Sequence, residues 1–246
     1  MRIKRLKTHL LVTAAYLLLW EAISLLVGSE LLLPSPAATL ARFWQLLSNA
    51  ESWRNVGWTL LRIMGGYLLG TVAGVLLAAL SAALPFAETM LSPLRGIVKA
   101  TPVTSFILLA LLWLTSGMVP LFIAFLMVLP IVWTNTLTAI LQTDTHLLEM
   151  ARVFRLRPAK ILTKIYIPSV LPQVLAACTT ALGFAWKSGV AAEIIALPKA
   201  SVGYQLYRAK LTIETVDLFA WTLLVVILSM LLEALLVRVL RRFRHA

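Results

Sequence analysis

The chain has 246 residues, of which 61% are hydrophobic and only 13% charged, with a mean hydropathy of +0.92. Soluble domains carry roughly a quarter charged residues, so an ordinary soluble domain is excluded and most of the surface is expected to face lipid. The net charge of +12 does not indicate nucleic acid, because Lys and Arg cluster at the ends of apolar runs rather than along one soluble face.

A helix needs about 20 apolar residues to cross the hydrocarbon core. Six segments meet this: 9–27, 57–84, 93–114, 119–141, 169–196 and 216–239. They are continuous, Leu- and Ala-rich and not alternating, which favours helices over barrel strands. The expected fold class is therefore all-α and integral to the membrane. It forms one transmembrane domain over 1–246, with a first span at 9–27 and a five-span core at 57–239.

The basic MRIKRLK start resembles a signal peptide, but no small-x-small cleavage site closes the apolar run, so a retained helix is expected. Leu33-Pro34-Ser35-Pro36 breaks the chain, since each proline restricts the residue before it. A short surface helix over 37–48 follows, and Trp44, Trp53 and Trp58 suit an interfacial belt. In the second span Gly66, Gly70 and Gly74 recur every four residues, beside Gly65, allowing close helix approach either inside the bundle or at a dimer seam.

Chemistry-bearing residues are sparse. The single cysteine, Cys178, lies in an apolar run, so no internal disulfide or thiolate cluster can form. His9, His146 and His245 lack metal-ligand spacing, and no metal site or catalytic set is expected.

The exception to the apolar pattern is a basic island at 148–172. Asp144 can cap a helix over about 145–154, in which Leu147, Leu148 and Ala151 alternate with Glu149 and Arg152. Pro158 suits the first turn of a second helix to about 166, and Pro168 and Pro172 lead into the fifth span. Two readings remain open: a docking element for a partner protein, or an amphipathic surface helix bound to anionic lipid.

The positive-inside rule sets orientation. With a cytoplasmic N-terminus the inside receives Arg2, Lys4, Arg5, Lys7, Arg95, Lys99, the five island cations Arg152, Arg155, Arg157, Lys160 and Lys164, and Arg238, Arg241, Arg242 and Arg244. The outside keeps Arg42, Arg54, Lys199, Arg208 and Lys210, while Arg62 and Lys187 lie in spans. Six spans return the C-terminus to the cytoplasm.

The island resembles the signature loop of permease subunits of binding-protein-dependent ABC importers: Glu-Ala-Ala, three residues, Gly, nine residues, Ile-x-Leu-Pro. Glu149, Met150 and Ala151 fill the first positions, Arg155 stands where glycine is usual, and Ile165, Ile167 and Pro168 close the pattern. Arginine in a turn built for positive φ costs about 1 kcal/mol or more. Resemblance to the taurine, sulfonate and nitrate branch extends over nearly the whole chain. It is carried by Leu33-Pro34-Ser35-Pro36, Thr59-Leu60-Leu61-Arg62, Leu112-Trp113 with Gly117, Pro130, Asn135-Thr136, Ala185-Trp186, Ala192-Glu193 and Gly203-Tyr204, while Leu108 replaces a common proline.

This resemblance implies a type I (MetI-like) ABC importer permease in the bacterial inner membrane, and a second permease copy, as a homodimer. The island at 145–166 becomes a coupling helix region, with Glu149, Met150, Ala151, Arg152, Arg155, Ile165 and Pro168 as its residues. Lacking a G-x-x-x-x-G-K-[ST] loop, the chain would rely on a separate ATPase subunit to bind and hydrolyse Mg-ATP, and would bind no cofactor itself. An extracytoplasmic solute-binding protein would deliver the solute.

Lys187, inside the fifth span, carries a charge costing about 2.5–3.5 kcal/mol at the bilayer centre and needs compensation. Glu193, six residues on, stands on a different helix face. The reading adopted is that Lys187 faces the translocation path and favours an anionic or polar solute, with Trp186 and Ser188 nearby and Glu193 shaping an outer gate. A structural ion pair or snorkelling is the alternative. Two other functional classes fit less well: an ion-coupled secondary carrier or channel, which would call for inverted repeats or broken helices, and an integral membrane enzyme.

Overall fold

The computed structural model describes residues 2–244, with side chains over 11–240. The side chains of Arg2, Lys4, Arg5, Lys7, His9, Arg241, Arg242 and Arg244, and all of His245, lie outside the described residues. Eleven α-helices follow one another, with no strand among the described residues: α1 (Arg2–Val27), α2 (Pro36–Ser48), α3 (Ala50–Ala83), α4 (Pro85–Ala100), α5 (Val103–Ala110), α6 (Val119–Leu141), α7 (Thr145–Val153), α8 (Pro158–Ile161), α9 (Ile167–Ala196), α10 (Val202–Leu211) and α11 (Thr215–Arg244). A π turn, Leu162–Tyr166, joins α8 to α9, making Pro158–Ala196 one continuous 39-residue helix.

Four described helices are long and apolar enough to cross a membrane: Ala50–Ala83, Val119–Leu141, Pro158–Ala196 and Thr215–Leu240. The described part of α1, Leu11–Val27, is apolar but shorter. The expected third span, 93–114, is divided. Pro102 lacks an N–H and pushes Thr101 into an extended conformation (φ −80°, ψ 131°), so α4 stops and α5 restarts. Helix α4 also begins earlier than the expected span, at Pro85, and carries Arg95 and Lys99 in its second half.

The packing centre is the α3–α6 pair, onto which α9 closes. Glycine permits this approach. A β-carbon at Gly66 would fall 2.2 Å from the Leu121 carbonyl oxygen, and one at Gly70 2.8 Å from that of Phe125. The stripe is used for internal packing. Ile63, Ala124, Val128, Ala181, Trp186 and Trp221 continue the core across α3, α6, α9 and α11. A second cluster packs Ile107 and Ala110 of α5 with Val119 and Ile123 of α6 and with Ala192 and Ala196 of α9.

Local caps set the connections. Ser35 accepts from the Ala38 N–H at 3.1 Å and Pro36 occupies the first turn, so α2 starts where the proline pair breaks the chain. Arg42 forks onto Asp217, Nη2 to Oδ2 at 3.0 Å, tying α2 to α11. Trp20 Nε1 donates to the Pro34 carbonyl at 3.1 Å and Ser24 Oγ to that of Leu33 at 2.9 Å, anchoring the end of α1. Trp44, Trp53 and Trp58 are all exposed, on and just after α2.

Candidate functional site: an exposed island and a buried clamp

The basic island folds into α7, a sharp turn and α8. Asp144 Oδ1 accepts from the His146 N–H at 2.8 Å, satisfying one of the free donors at the helix start. Ala151 is the one fully buried residue of α7. The turn is closed by Arg155, whose φ is +49°, with its N–H on the Arg152 carbonyl (3.0 Å) and the Leu156 N–H on that of Ala151 (2.9 Å). Arginine thus adopts the left-handed conformation that glycine takes freely.

Held in this way, α7 presents large apolar side chains to its surroundings: Met150, Val153 (79% exposed) and Phe154 (72%). Glu149 and Arg152 are exposed on the same helix, and Glu149 makes only a long contact, 3.9 Å, with His146 Nδ1. Beyond the turn Ile165 is buried. The expected helix end near 166 is not there. Pro168 cannot donate to a carbonyl one turn back, and the chain widens into the π turn ahead of it, with the Ile167 N–H reaching the Leu162 carbonyl, instead of stopping.

The four residues assigned to a translocation path do not share one surface. Lys187 is exposed on α9, near exposed Phe184, and has no hydrogen bond or carboxylate partner among the described residues. Trp186 is 2% exposed, its Nε1 donating to the Val225 carbonyl at 3.2 Å. Ser188 is buried, its hydroxyl turned back on the Phe184 carbonyl at 2.7 Å. Glu193 is fully buried. Successive helical residues point in different directions, so neighbours of a lysine along the chain need not be its neighbours in space.

Glu193 is instead the centre of a clamp between the N-terminal part of α3, the C-terminal part of α9 and the start of α10. It accepts from Thr59 Oγ1 at 2.9 Å and from the Gly203 N–H at 3.1 Å, and Arg62 Nη1 lies 3.6 Å away. Thr59 Oγ1 in turn accepts from the Val202 N–H at 3.0 Å, while Arg62 Nη1 donates to the Ala200 carbonyl at 2.7 Å. Arg62 also stacks over the Trp58 ring, 5.5 Å from its centroid. Gly203 is required because a β-carbon there would fall 2.3 Å from that of Glu193. Leu197, in the left-handed conformation at φ +54°, turns the chain out of α9 so that residues 200–203 fold back onto it.

Sequence reasoning placed Glu193 near the outer end of the span but missed its partners. The signal was present: Arg62 and Glu193 are opposite charges in two spans, and neither could stay there alone. A second cationic set lies on α4. Arg95 binds Glu88 (2.5 Å) and covers Trp133 (4.8 Å to the ring centroid), whereas Lys99 reaches only the Thr134 hydroxyl at 2.8 Å.

The chain is thus a bundle of long apolar helices with one exposed helix pair at one end. Residues 66–245 match the family described as binding-protein-dependent transport system inner membrane component, and the chain belongs to that family. It is thus a permease of the ABC importers, a transport subunit with a multi-pass membrane fold. It is 28% identical over 95% of its length to the aliphatic sulfonates transport permease protein so named in Bacillus subtilis (strain 168), SsuC, 84% of which is covered. It is 31% identical over 90% of its length to the riboflavin transport system permease protein RibX of Chloroflexus aurantiacus, with 86% of that protein covered. The fold matches a chain from the crystal structure of an amino acid ABC transporter with histidines, at a TM-score of 0.64 and 14% identity. That match covers 84% of this chain and 96% of the other.

Proposed function

We propose that the chain works as a pair of copies in the bacterial inner membrane, importing a small anionic or polar solute by alternating access. The whole chain forms one permease domain with both termini cytoplasmic, and α1, α3, α4 with α5, α6, α9 and α11 each cross the bilayer. A separate ATPase subunit binding Mg-ATP seats α7 in a groove, and an extracytoplasmic binding protein supplies the solute at the opposite face. The observation that carries this reading is the exposed apolar end of α7, held by the Asp144 cap and the Arg155 turn. Val153 and Phe154 are worth roughly 1.5–3 kcal/mol each when buried, so they favour a partner.

Lys187 suits the path role because it is exposed and has no acid beside it among the described residues. Two measurements test the reading. Gentle purification of the tagged chain from its native membrane should recover an ATPase, and Glu149→Arg should leave insertion intact while uncoupling ATP hydrolysis from uptake. If Lys187→Met assembles normally and transports at the parental rate, the path role of Lys187 is wrong.

A further inference from the structure

A groove of about 500 Å³ lies between the end of α9, α10 and the first turns of α11. Ile194, Ile195, Leu197, Leu206 and Leu218 give it an apolar wall. Tyr207 and Lys210 line the same groove. They share one side of α10 with Leu206, since positions 206, 207 and 210 of a helix fall within about 100° of one another. The Lys210 side chain is exposed and has no carboxylate partner among the described residues, and the Tyr207 hydroxyl makes no hydrogen bond with them.

The groove has a polar end and an apolar end. Lys210 is the last residue but one of α10, and the Glu214 N–H bonds to the Ala209 carbonyl at 2.9 Å, which holds this turn beside the start of α11. Thr222, also in the wall, follows Thr215 by seven positions and so lies about 10 Å further along α11. That helix is one of those long and apolar enough to cross a membrane. The groove therefore runs from a free cation at the end of the bundle down the side of a span. The carbonyls that end α10 are not bare acceptors facing an anion: those of Arg208 and Lys210 receive the Thr212 and Ile213 N–H groups. Glu214, the acid closest in sequence, is exposed and forms no ion pair with Lys210.

We propose that this groove is a site for an anionic phospholipid, with the phosphate on Lys210 and Tyr207 and one acyl chain lying past Leu218 toward Thr222. A cation at the membrane edge attracts an anionic headgroup, and the apolar wall continuous with it accepts a chain that a free anion lacks. A soluble partner is the less suitable occupant, because it meets only the ends of the spans, whereas this groove runs along one. A second copy seated here by two-fold symmetry would bring no acid from its own groove to Lys210, because none lines it. The inference rests on α9 and α11 crossing the bilayer, and not on the solute, the ATPase or which side of the membrane this end faces.

The test uses the full chain with whatever ATPase accompanies it, reconstituted in phosphatidylcholine with or without phosphatidylglycerol. Phospholipid retained after detergent extraction is then measured by mass spectrometry. The parent should keep phosphatidylglycerol in preference to phosphatidylcholine. Lys210→Gln should weaken this preference roughly fivefold, and Tyr207→Phe by a smaller factor. Arg208→Gln removes an exposed cation of the same helix that lies outside the groove, and should leave the preference as in the parent. Thr222→Trp fills the apolar end from an exposed position and should lower retention of either lipid. A parent without preference, or equal losses from Lys210→Gln and Arg208→Gln, would overturn the proposal. So would displacement of phosphatidylglycerol by inorganic phosphate at equal concentration, which would mark a site for a free anion. Loss of a dimer from Thr222→Trp with lipid retention unchanged would assign the groove to a second copy instead.

Discussion

The two ends of the longest helix are built on opposite terms. At its C-terminal end both carboxylate oxygens of Glu193 are used, and Thr59, Arg62 and Gly203 close around it. At its N-terminal end Arg157, Lys160 and Lys164 have no carboxylate partner among the described residues, Arg155 just ahead of it sits in a left-handed conformation, and apolar side chains stand exposed. An isolated buried charge costs several kcal/mol, so the clamp must be completed within the chain. Exposed cations and apolar groups at the island carry no such penalty until a partner covers them, so they can be left for an intermolecular contact. The clamp fixes geometry, whereas the island leaves its groups exposed.

The contrast can be broken first at its foundation. Gly66→Leu drives a side chain into the Leu121 carbonyl, which α6 cannot move aside without leaving α3. No monodisperse chain should be recovered from detergent-solubilised membranes. At the clamp, Glu193→Ala leaves Arg62 without its carboxylate and should cost roughly 3–5 kcal/mol, read as a lowered thermal midpoint of the purified chain. Glu193→Gln, which keeps the hydrogen bonds to Thr59 and Gly203, should cost less. The same order of damage from a change on α7 would erase the distinction between the two ends.

At the island, Val153→Asp with Phe154→Asp should leave the thermal midpoint of the isolated chain unchanged, because both side chains are exposed. ATPase recovered with the chain should fall at least roughly tenfold if the partner buries either residue. The smallest effect concerns Arg155. Arg155→Gly relieves a left-handed residue and should stabilise the turn by about 1 kcal/mol, visible as slower amide exchange in α7 with coupling retained. Faster exchange would mean that the arginine side chain, rather than the backbone, holds the turn.

Much of this was legible in the sequence. Hydropathy located the long helices because lipid tolerates little else, and the Asp144 cap and the 145–154 helix followed from residue type and spacing. The division at Thr101–Pro102 was written in the proline but hidden by an apolar run that continued on both sides. The burial of Trp186 and Ser188 was not legible for a different reason. The face a helical residue presents depends on which neighbours close around it, and an almost uniformly apolar span offers little periodicity to decide that. The π turn left no sequence signature beyond Pro168.

That turn sets an angle as well as a connection. A helical residue advances about 100° around the axis, and a π turn takes up one residue more than an α turn. Everything ahead of Leu162 is therefore rotated by about a quarter of a revolution from where an unbroken α-helix would aim it. Removing one residue from Leu162–Tyr166 would leave the spans, the caps and the clamp as they are, yet swing α7 away from its present bearing. The alignment of the bundle with whatever meets its rim is set by the count of residues in a single turn.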